Sequence, residues 1–197
     1  MRIGILVFDE VEELDFVGPL EVFGVTSRLV GGIEVILLSK DGQRVRCRYG
    51  LRVQPDHSIS NCPSLDLLIV PGGKGAREQA RFDEEILSFV RAHASRMPIA
   101  SICTGALILA EAGLLKGHKA TTHWSALDML RQYPDVEVKE GARFVREGSI
   151  ATSAGISAGM DLALAIVKDS YGEEVAEQVA HQMEYPYLSR DQQTQTL

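Results

Sequence analysis

Short apolar runs of strand length recur along this chain and alternate with segments of helical periodicity. Residues 2–8, 33–39 and 65–70 are such runs, and a fourth ends at Ile102. Runs like these are typical of strands that are buried on both faces of a sheet. Their alternation with helices predicts an α/β protein with a mostly parallel sheet covered by helices on both faces. Because ligands bind beyond the carboxyl ends of such strands, we expect the site in the loops after Phe8, Val70 and Ile102.

The length and composition exclude several classes of protein. A chain of 197 residues favours one domain, expected over residues 1–188, followed by a polar tail over residues 189–197. The net charge of −7 argues against nucleic acid or an anionic membrane as a partner. No apolar run approaches the roughly 18 residues of a membrane span, and the first run has no basic leader before it.

The cysteines favour a reducing compartment. Cys47, Cys62 and Cys103 lack the spacing of a metal site, and their odd number leaves at least one thiol free. These features fit a cytoplasmic protein better than a secreted domain held together by disulfides.

Cys103 stands where a buried strand turns into a helix. The strand-like run that ends at Ile102 is followed by Cys103, and Thr104 then opens a helical segment. A sharp strand-to-helix turn exposes the turn residue and directs the N–H groups of the helix start towards it. Those N–H groups favour a thiolate, so we expect Cys103 to ionise more readily than a free cysteine and to act as a nucleophile. The alternative is a small buried apolar residue.

Two further stretches supply groups that could work with this thiol. Asp15 is an acid in an otherwise apolar segment before Gly18 and Pro19, so it is either a helix cap or a carboxylate that passes protons to and from the site. Gly72 and Gly73 follow a buried strand and form either a plain turn or, with the Thr104 amide, an oxyanion hole. Their pattern is not that of a nucleotide-binding loop.

His123 ends a short predicted strand beside Thr122 and Trp124. It is a possible base for Cys103 with the other two residues as pocket wall, although a lone histidine is more often structural. His181 and Glu184 lie one helical turn apart and are interpreted as a surface pair, because a metal ion would need a further ligand.

Residues 155–159 spell GxSxG, the pattern of a serine hydrolase, and aspartates and His181 follow it. Too little chain remains for the strands that usually carry the other catalytic groups. We therefore interpret the pattern as a glycine-rich helix start and keep a serine hydrolase as a distant alternative.

An ordered set of motifs resembles the ThiJ/PfpI superfamily, which is related to class I glutamine amidotransferases. The motifs are Leu14-Asp15-x-x-Gly18-Pro19, Pro71-Gly72-Gly73, Cys103-Thr104-Gly105, Ala112-Gly113-Leu114-Leu115-x-Gly117, Ala120-Thr121-Thr122-His123-Trp124 and Ser153-Ala154-Gly155-Ile156-x-Ala158-Gly159. The resemblance implies a flavodoxin-like three-layer sandwich with Cys103 at a strained nucleophile elbow, usually in a homodimer.

Within the superfamily the pairing of Asp15 with a Cys-Thr dipeptide resembles isocyanide hydratases. That resemblance implies attack of Cys103 on the isocyanide carbon to give a thioimidate, proton transfer by Asp15, positioning by Thr104 and release of an N-formamide. A thiolate, a carboxylate and N–H donors suffice for this hydration of a small molecule without metal or organic cofactor.

Sister branches provide the alternatives. PfpI-type peptidases have histidine where Thr104 stands, and glutamine amidotransferases have a His-x-Glu pair that His181 and Glu184 do not reproduce. Glyoxalase-like members use a glutamate on the first helix, where this chain has the shorter Asp15, and a histidine matching His123. The motifs also resemble the sensing domains of AraC-type regulators, so a protein that binds a small molecule or senses oxidants through Cys103 without turnover is the alternative from another class.

Overall fold

The computed structural model describes residues 1–186, so the tail predicted over residues 189–197 lies outside the described residues. The strands are β1 (Arg2–Leu6), β2 (Glu34–Ser39), β3 (Val45–Arg46), β4 (Arg52–Val53), β5 (His57–Ser58), β6 (Leu67–Val70), β7 (Ile99–Ser101), β8 (Lys119–Ala120), β9 (Glu137–Val138), β10 (Phe144–Glu147) and β11 (Ile150–Ser153). The helices are α1 (Glu13–Val30), α2 (Lys74–Glu78), α3 (Glu84–Ala94), α4 (Gly105–Glu111), α5 (Leu127–Leu130), α6 (Ala158–Tyr171) and α7 (Glu173–Gln182).

Seven strands form the central sheet in the order β10-β11-β7-β6-β1-β2-β5. All neighbours are parallel except β10, which runs antiparallel to β11. Ile5 pairs with Leu37 of β2 and with Ile69 of β6, so β1 lies inside the sheet between these two strands. The predicted mostly parallel sheet is therefore confirmed.

Helices cover both faces, which confirms the expected three-layer sandwich. Helices α1, α6 and α7 pack against one another, and α4 packs against α2, α3 and α5. The inner strands β1, β6 and β7 are almost fully buried, and all four residues of β6 are shielded from solvent. Burial on both faces explains why these strands appear in the sequence as unbroken apolar runs. Over residues 1–186, no helix has both the length and the apolar character needed to cross a bilayer.

One prediction about the sheet edge is wrong. The alternating pattern of residues 44–53, broken at Tyr49-Gly50, predicts an antiparallel hairpin at the edge of the sheet. The hairpin forms, but β3 and β4 pair only with each other in a separate two-stranded sheet. The edge of the main sheet beside β2 is instead β5, and the other edge is β10. A strand of two residues, His57–Ser58, is too short to produce a recognisable apolar or alternating pattern.

The carboxyl ends of β1, β6 and β7 bring three loops together. The Glu12 N–H donates to the Gly72 carbonyl at 3.1 Å, and the Ile102 N–H donates to the Val70 carbonyl at 3.0 Å. A Cβ atom on Gly105 would lie 2.0 Å from the Val70 carbonyl oxygen, so only glycine lets α4 begin this close to β6. The predicted site-building loops are therefore fixed against one another by backbone contacts.

Candidate active site

Cys103 occupies a strained turn between β7 and α4. Its φ is 55°, in the left-handed region that costs a residue other than glycine roughly 1–3 kcal/mol. The Cys103 N–H donates to the Ala154 carbonyl at 3.2 Å, and the Thr122 hydroxyl donates to the Cys103 carbonyl at 2.8 Å. Because the segments after β11 and after β8 hold both backbone groups, the surrounding structure maintains the elbow that the resemblance implied.

Asp15 lies on the first turn of α1 and is completely buried. Its Oδ2 accepts a hydrogen bond from the Gly72 N–H at 2.9 Å, whereas Oδ1 is buried without a hydrogen-bond partner among the described residues. Burial raises the pKa of the Asp15 carboxyl to about 8, and the nearby Glu12 charge adds to this shift. At neutral pH Asp15 is therefore mostly protonated and can donate a proton.

The Cys103 thiol lies close enough to the Asp15 carboxyl for each group to shift the pKa of the other. Burial, with the Asp15 charge second, raises the pKa of Cys103, and the opposing contacts from the N–H and hydroxyl of Thr104 do not offset this. The prediction that this thiol ionises more readily than a free cysteine is therefore wrong, because the helix start cannot offset the loss of hydration. The two groups form a pair that retains its protons at neutral pH.

Thr104 connects the elbow to the loop after β6. Its hydroxyl accepts from the Gly73 N–H at 2.9 Å and donates to the Gly73 carbonyl at 3.1 Å. The N–H groups of Gly72 and Gly73 therefore hold Asp15 and Thr104 in place. An oxyanion hole formed by these two amides and the Thr104 amide stays a prediction, and it requires one of the hydrogen bonds to exchange.

Gly72 is a point of close contact within the site. A Cβ atom there would lie 2.4 Å from the Thr104 nitrogen and 3.0 Å from Asp15 Oδ2. A side chain would therefore separate the carboxyl from the elbow. The double glycine after β6 therefore leaves room for Thr104 and the Asp15 carboxyl to lie close to this loop.

His123 is a fixed wall beside the elbow. Its Nδ1 is hydrogen-bonded to the Ser125 hydroxyl at 2.8 Å, and burial, together with the Arg77 charge, lowers its pKa. It is not among the groups that shift the pKa of Cys103. Its role as a base for Cys103 stays a prediction without a supporting contact, whereas the adjacent Trp124, 77% exposed, has the position of a pocket wall.

Substituting Gly155 with alanine should destabilise the protein by about 1–3 kcal/mol, because the added Cβ would lie 1.9 Å from Cδ2 of His123. The His123 ring must then move away from the backbone of residue 155. Urea unfolding of the two proteins measures this difference.

Gly24→Ala is the matched control, because a Cβ atom there has nothing within 4 Å. This residue lies inside α1, where alanine should stabilise by up to about 1 kcal/mol. Equal stabilities for Gly155→Ala and the unsubstituted protein would show that His123 is free to move.

The GxSxG pattern does not form a catalytic triad. The Ser157 hydroxyl accepts from Arg143, whose Nε also donates to Asp161 at 2.6 Å. His181 and Glu184 are exposed on the surface. Ser157 therefore belongs to the start of α6, as the sequence indicated.

Two backbone contacts of the elbow were not expected from the sequence. Thr122 was expected only as pocket wall, and Ala154 only as part of a motif, yet both hold Cys103. Gly155 is likewise required by the His123 ring. The motifs containing these residues were the available signal, but spacing alone could not connect them to Cys103.

This chain is similar to known proteins over most of its length. The profile of the DJ-1/PfpI family matches residues 1–169. Isonitrile hydratase of Pseudomonas putida is 38% identical over 186 residues, which cover 94% of this chain and 78% of the hydratase. A THiJ/PfpI family protein from Pseudomonas syringae has a similar crystal structure, with a TM-score of 0.86, 35% identity, and coverage of 96% of this chain and 76% of that one.

A regulator is also similar to this chain. HTH-type transcriptional regulator GbdR of Pseudomonas aeruginosa is 29% identical over 198 residues, covering 98% of this chain. This chain spans about half of that regulator, 53% of its length. Similar chains therefore include both an enzyme and a regulator.

Proposed function

This chain belongs to the DJ-1/PfpI family, and we propose that it is an enzyme that adds water to an isocyanide, R–N≡C, to give the formamide R–NH–CHO. The observation that carries the proposal is the buried pair of Cys103 and Asp15, in which one carboxyl oxygen is held by Gly72 and the other has no hydrogen-bond partner in residues 1–186. The similarity to an isonitrile hydratase supports the same reaction.

In the first half of the reaction, the Cys103 sulfur bonds to the terminal carbon of the isocyanide. The proton held by the Asp15–Cys103 pair moves to that carbon, and the product is a thioimidate, R–N=CH–S–Cys103. A thiol with a raised pKa suits this step, because the proton that sulfur loses is the proton that carbon gains.

In the second half, water adds to the thioimidate carbon. One proton of the water reaches the substrate nitrogen through Asp15, the other returns to the thiol, and the C–S bond breaks as R–NH–CHO leaves. Oδ1 of Asp15 has no other hydrogen bond within residues 1–186, which leaves it available to orient the water. Thr104 keeps carboxyl and thiol together through its hydrogen bonds to Gly73. No oxidant or reductant is consumed.

The second candidate is a protein that binds a small molecule, or senses oxidants through Cys103, without turnover. The similarity to a transcriptional regulator over nearly the whole chain favours it. A glyoxalase-like reaction is a further alternative, but Asp15 is one methylene shorter than the glutamate which that reaction is expected to require.

We propose a homodimer in a reducing cytoplasm as the working form. All three cysteines are free in the structure, which supports the reducing compartment. The dimer rests on the resemblance described above.

The test is an assay of the reduced protein with phenyl isocyanide, in which the formation of N-phenylformamide is followed by chromatography. Turnover should be accompanied by a covalent adduct of substrate mass on the peptide that contains Cys103. Folded protein that forms no formamide above the buffer rate would contradict the proposal and favour the binding protein.

Cys62→Ser is the control for a non-specific thiol reaction. Cys62 is half-buried in the loop before β6, so its removal should leave turnover within about twofold. Loss of turnover in the Cys62→Ser protein would show that the reaction depends on Cys62, and this would contradict the role proposed for Cys103.

A further inference from the structure

A cavity of about 580 Å³ opens beside the elbow. Thr122 and Ala154, the two residues that hold the backbone of Cys103, are part of its wall. Leu14, the neighbour of Asp15, lies on the same wall. The cavity is therefore next to the reacting groups and falls within the range of about 300–1,000 Å³ that is usual for small-molecule sites.

One side of the cavity is apolar and aromatic. Leu14, Trp124, Leu127 and Ile156 line it together with His123. The rings of His123 and Trp124 have centroids 5.5 Å apart, and His123 is held by Ser125 and by the backbone of Gly155. A fixed ring beside an exposed indole presents a surface that a flat ligand can cover, and aromatic contacts add about 0.5–1.5 kcal/mol to the burial of area.

The charged groups of the cavity are already paired. Arg143 donates to Asp161 at 2.6 Å and to Ser157 at 3.0 Å, and Glu140 accepts from Arg131 at 2.6 Å. His123 stays neutral at pH 7 because burial lowers its pKa. A charged ligand would lose its hydration without gaining an unpaired partner here.

We infer that this cavity holds the substituent R of the substrate and that R is an uncharged aromatic group lying against Trp124. The inference rests on the proposed function for the identity of the reacting isocyanide group. The binding preference follows from the cavity alone, so the two can fail separately.

Trp124 is the only tryptophan of the chain and therefore reports its own site. We would titrate the reduced wild-type protein with N-phenylformamide, N-cyclohexylformamide and 4-formamidobenzoate and follow tryptophan emission. N-phenylformamide should change the emission saturably, and the other two should bind about tenfold more weakly. No saturable change, or equal affinity for the phenyl and cyclohexyl compounds, would overturn the inference.

The variant Trp124→Leu removes the indole and keeps an apolar side chain. Calorimetry should show about tenfold weaker binding of N-phenylformamide to this variant, with an unchanged far-UV circular dichroism spectrum. Tyr49→Leu is the matched control, because Tyr49 is equally exposed, at 78%, but lies in the β3–β4 hairpin and does not line the cavity. Equal affinities of the Trp124→Leu and Tyr49→Leu proteins would also overturn the inference.

The same compounds separate this inference from the proposed function. Saturable binding of N-phenylformamide without hydration of phenyl isocyanide would leave the cavity correctly assigned and the reaction wrong. Hydration of methyl and phenyl isocyanide with equal kcat/KM, without any emission change, would leave the reaction correct and the cavity wrongly assigned.

Discussion

Replacing Asp15 with asparagine should lower kcat for isocyanide hydration by about a thousandfold. Asparagine keeps an oxygen that can accept the Gly72 N–H, which Asp15 accepts at 2.9 Å, so the loop after β6 stays in place. The amide cannot pass a proton to the substrate or take one from water. Because substrate binding does not depend on that proton, KM should change only a few-fold. Steady-state kinetics with phenyl isocyanide measures both constants.

Glu21→Gln is the control for this experiment. It neutralises an acid of the same helix that is exposed and distant from Cys103, so kcat should stay within about twofold. If the Asp15→Asn protein kept more than about a tenth of the wild-type kcat, another group would have to carry the proton.

Wild-type protein should lose stability relative to Asp15→Asn as the pH rises from about 5 to 8. Burial raises the pKa of Asp15 from 3.8 to about 8, so the folded state binds more protons than the unfolded state between these values. The neutral Asp15 carboxyl therefore makes its full contribution to the free energy of unfolding below about pH 4. This contribution is lost as the pH approaches 8, at up to about 1.4 kcal/mol per pH unit. Asparagine does not ionise and removes this dependence.

Urea unfolding of both proteins under reducing conditions, at several pH values, tests this expectation. The difference between their free energies of unfolding should grow by several kcal/mol between about pH 5 and pH 8 and then level off. The same trend should persist in a Cys103→Ser background, because burial is the largest cause of the shift. A difference that is constant over the whole range would show that Asp15 is ionised in the folded protein.

The buried strands and most candidate site residues could be predicted from the sequence alone. The apolar runs identified the buried strands, because a strand covered on both faces has no solvent-facing positions to mark with polar residues. The motifs selected Cys103, Asp15, Thr104 and the double glycine, because a strained elbow and close backbone contacts accept few residue types. Strand β5 has only two residues and shows no recognisable apolar pattern, so one edge of the sheet was predicted incorrectly.

The ionisation of the site was decided only by the tertiary structure. Local reasoning from a helix start predicted an acidic thiol, whereas the fold removes water from Cys103 and places the carboxyl of Asp15 against it. Hydration and charge depend on groups that are distant in sequence, and Asp15 and Cys103 are brought together only when β1 and β7 take their places on either side of β6. The pKa values therefore belong to the assembled fold, while the residues that carry them were already visible in the chain.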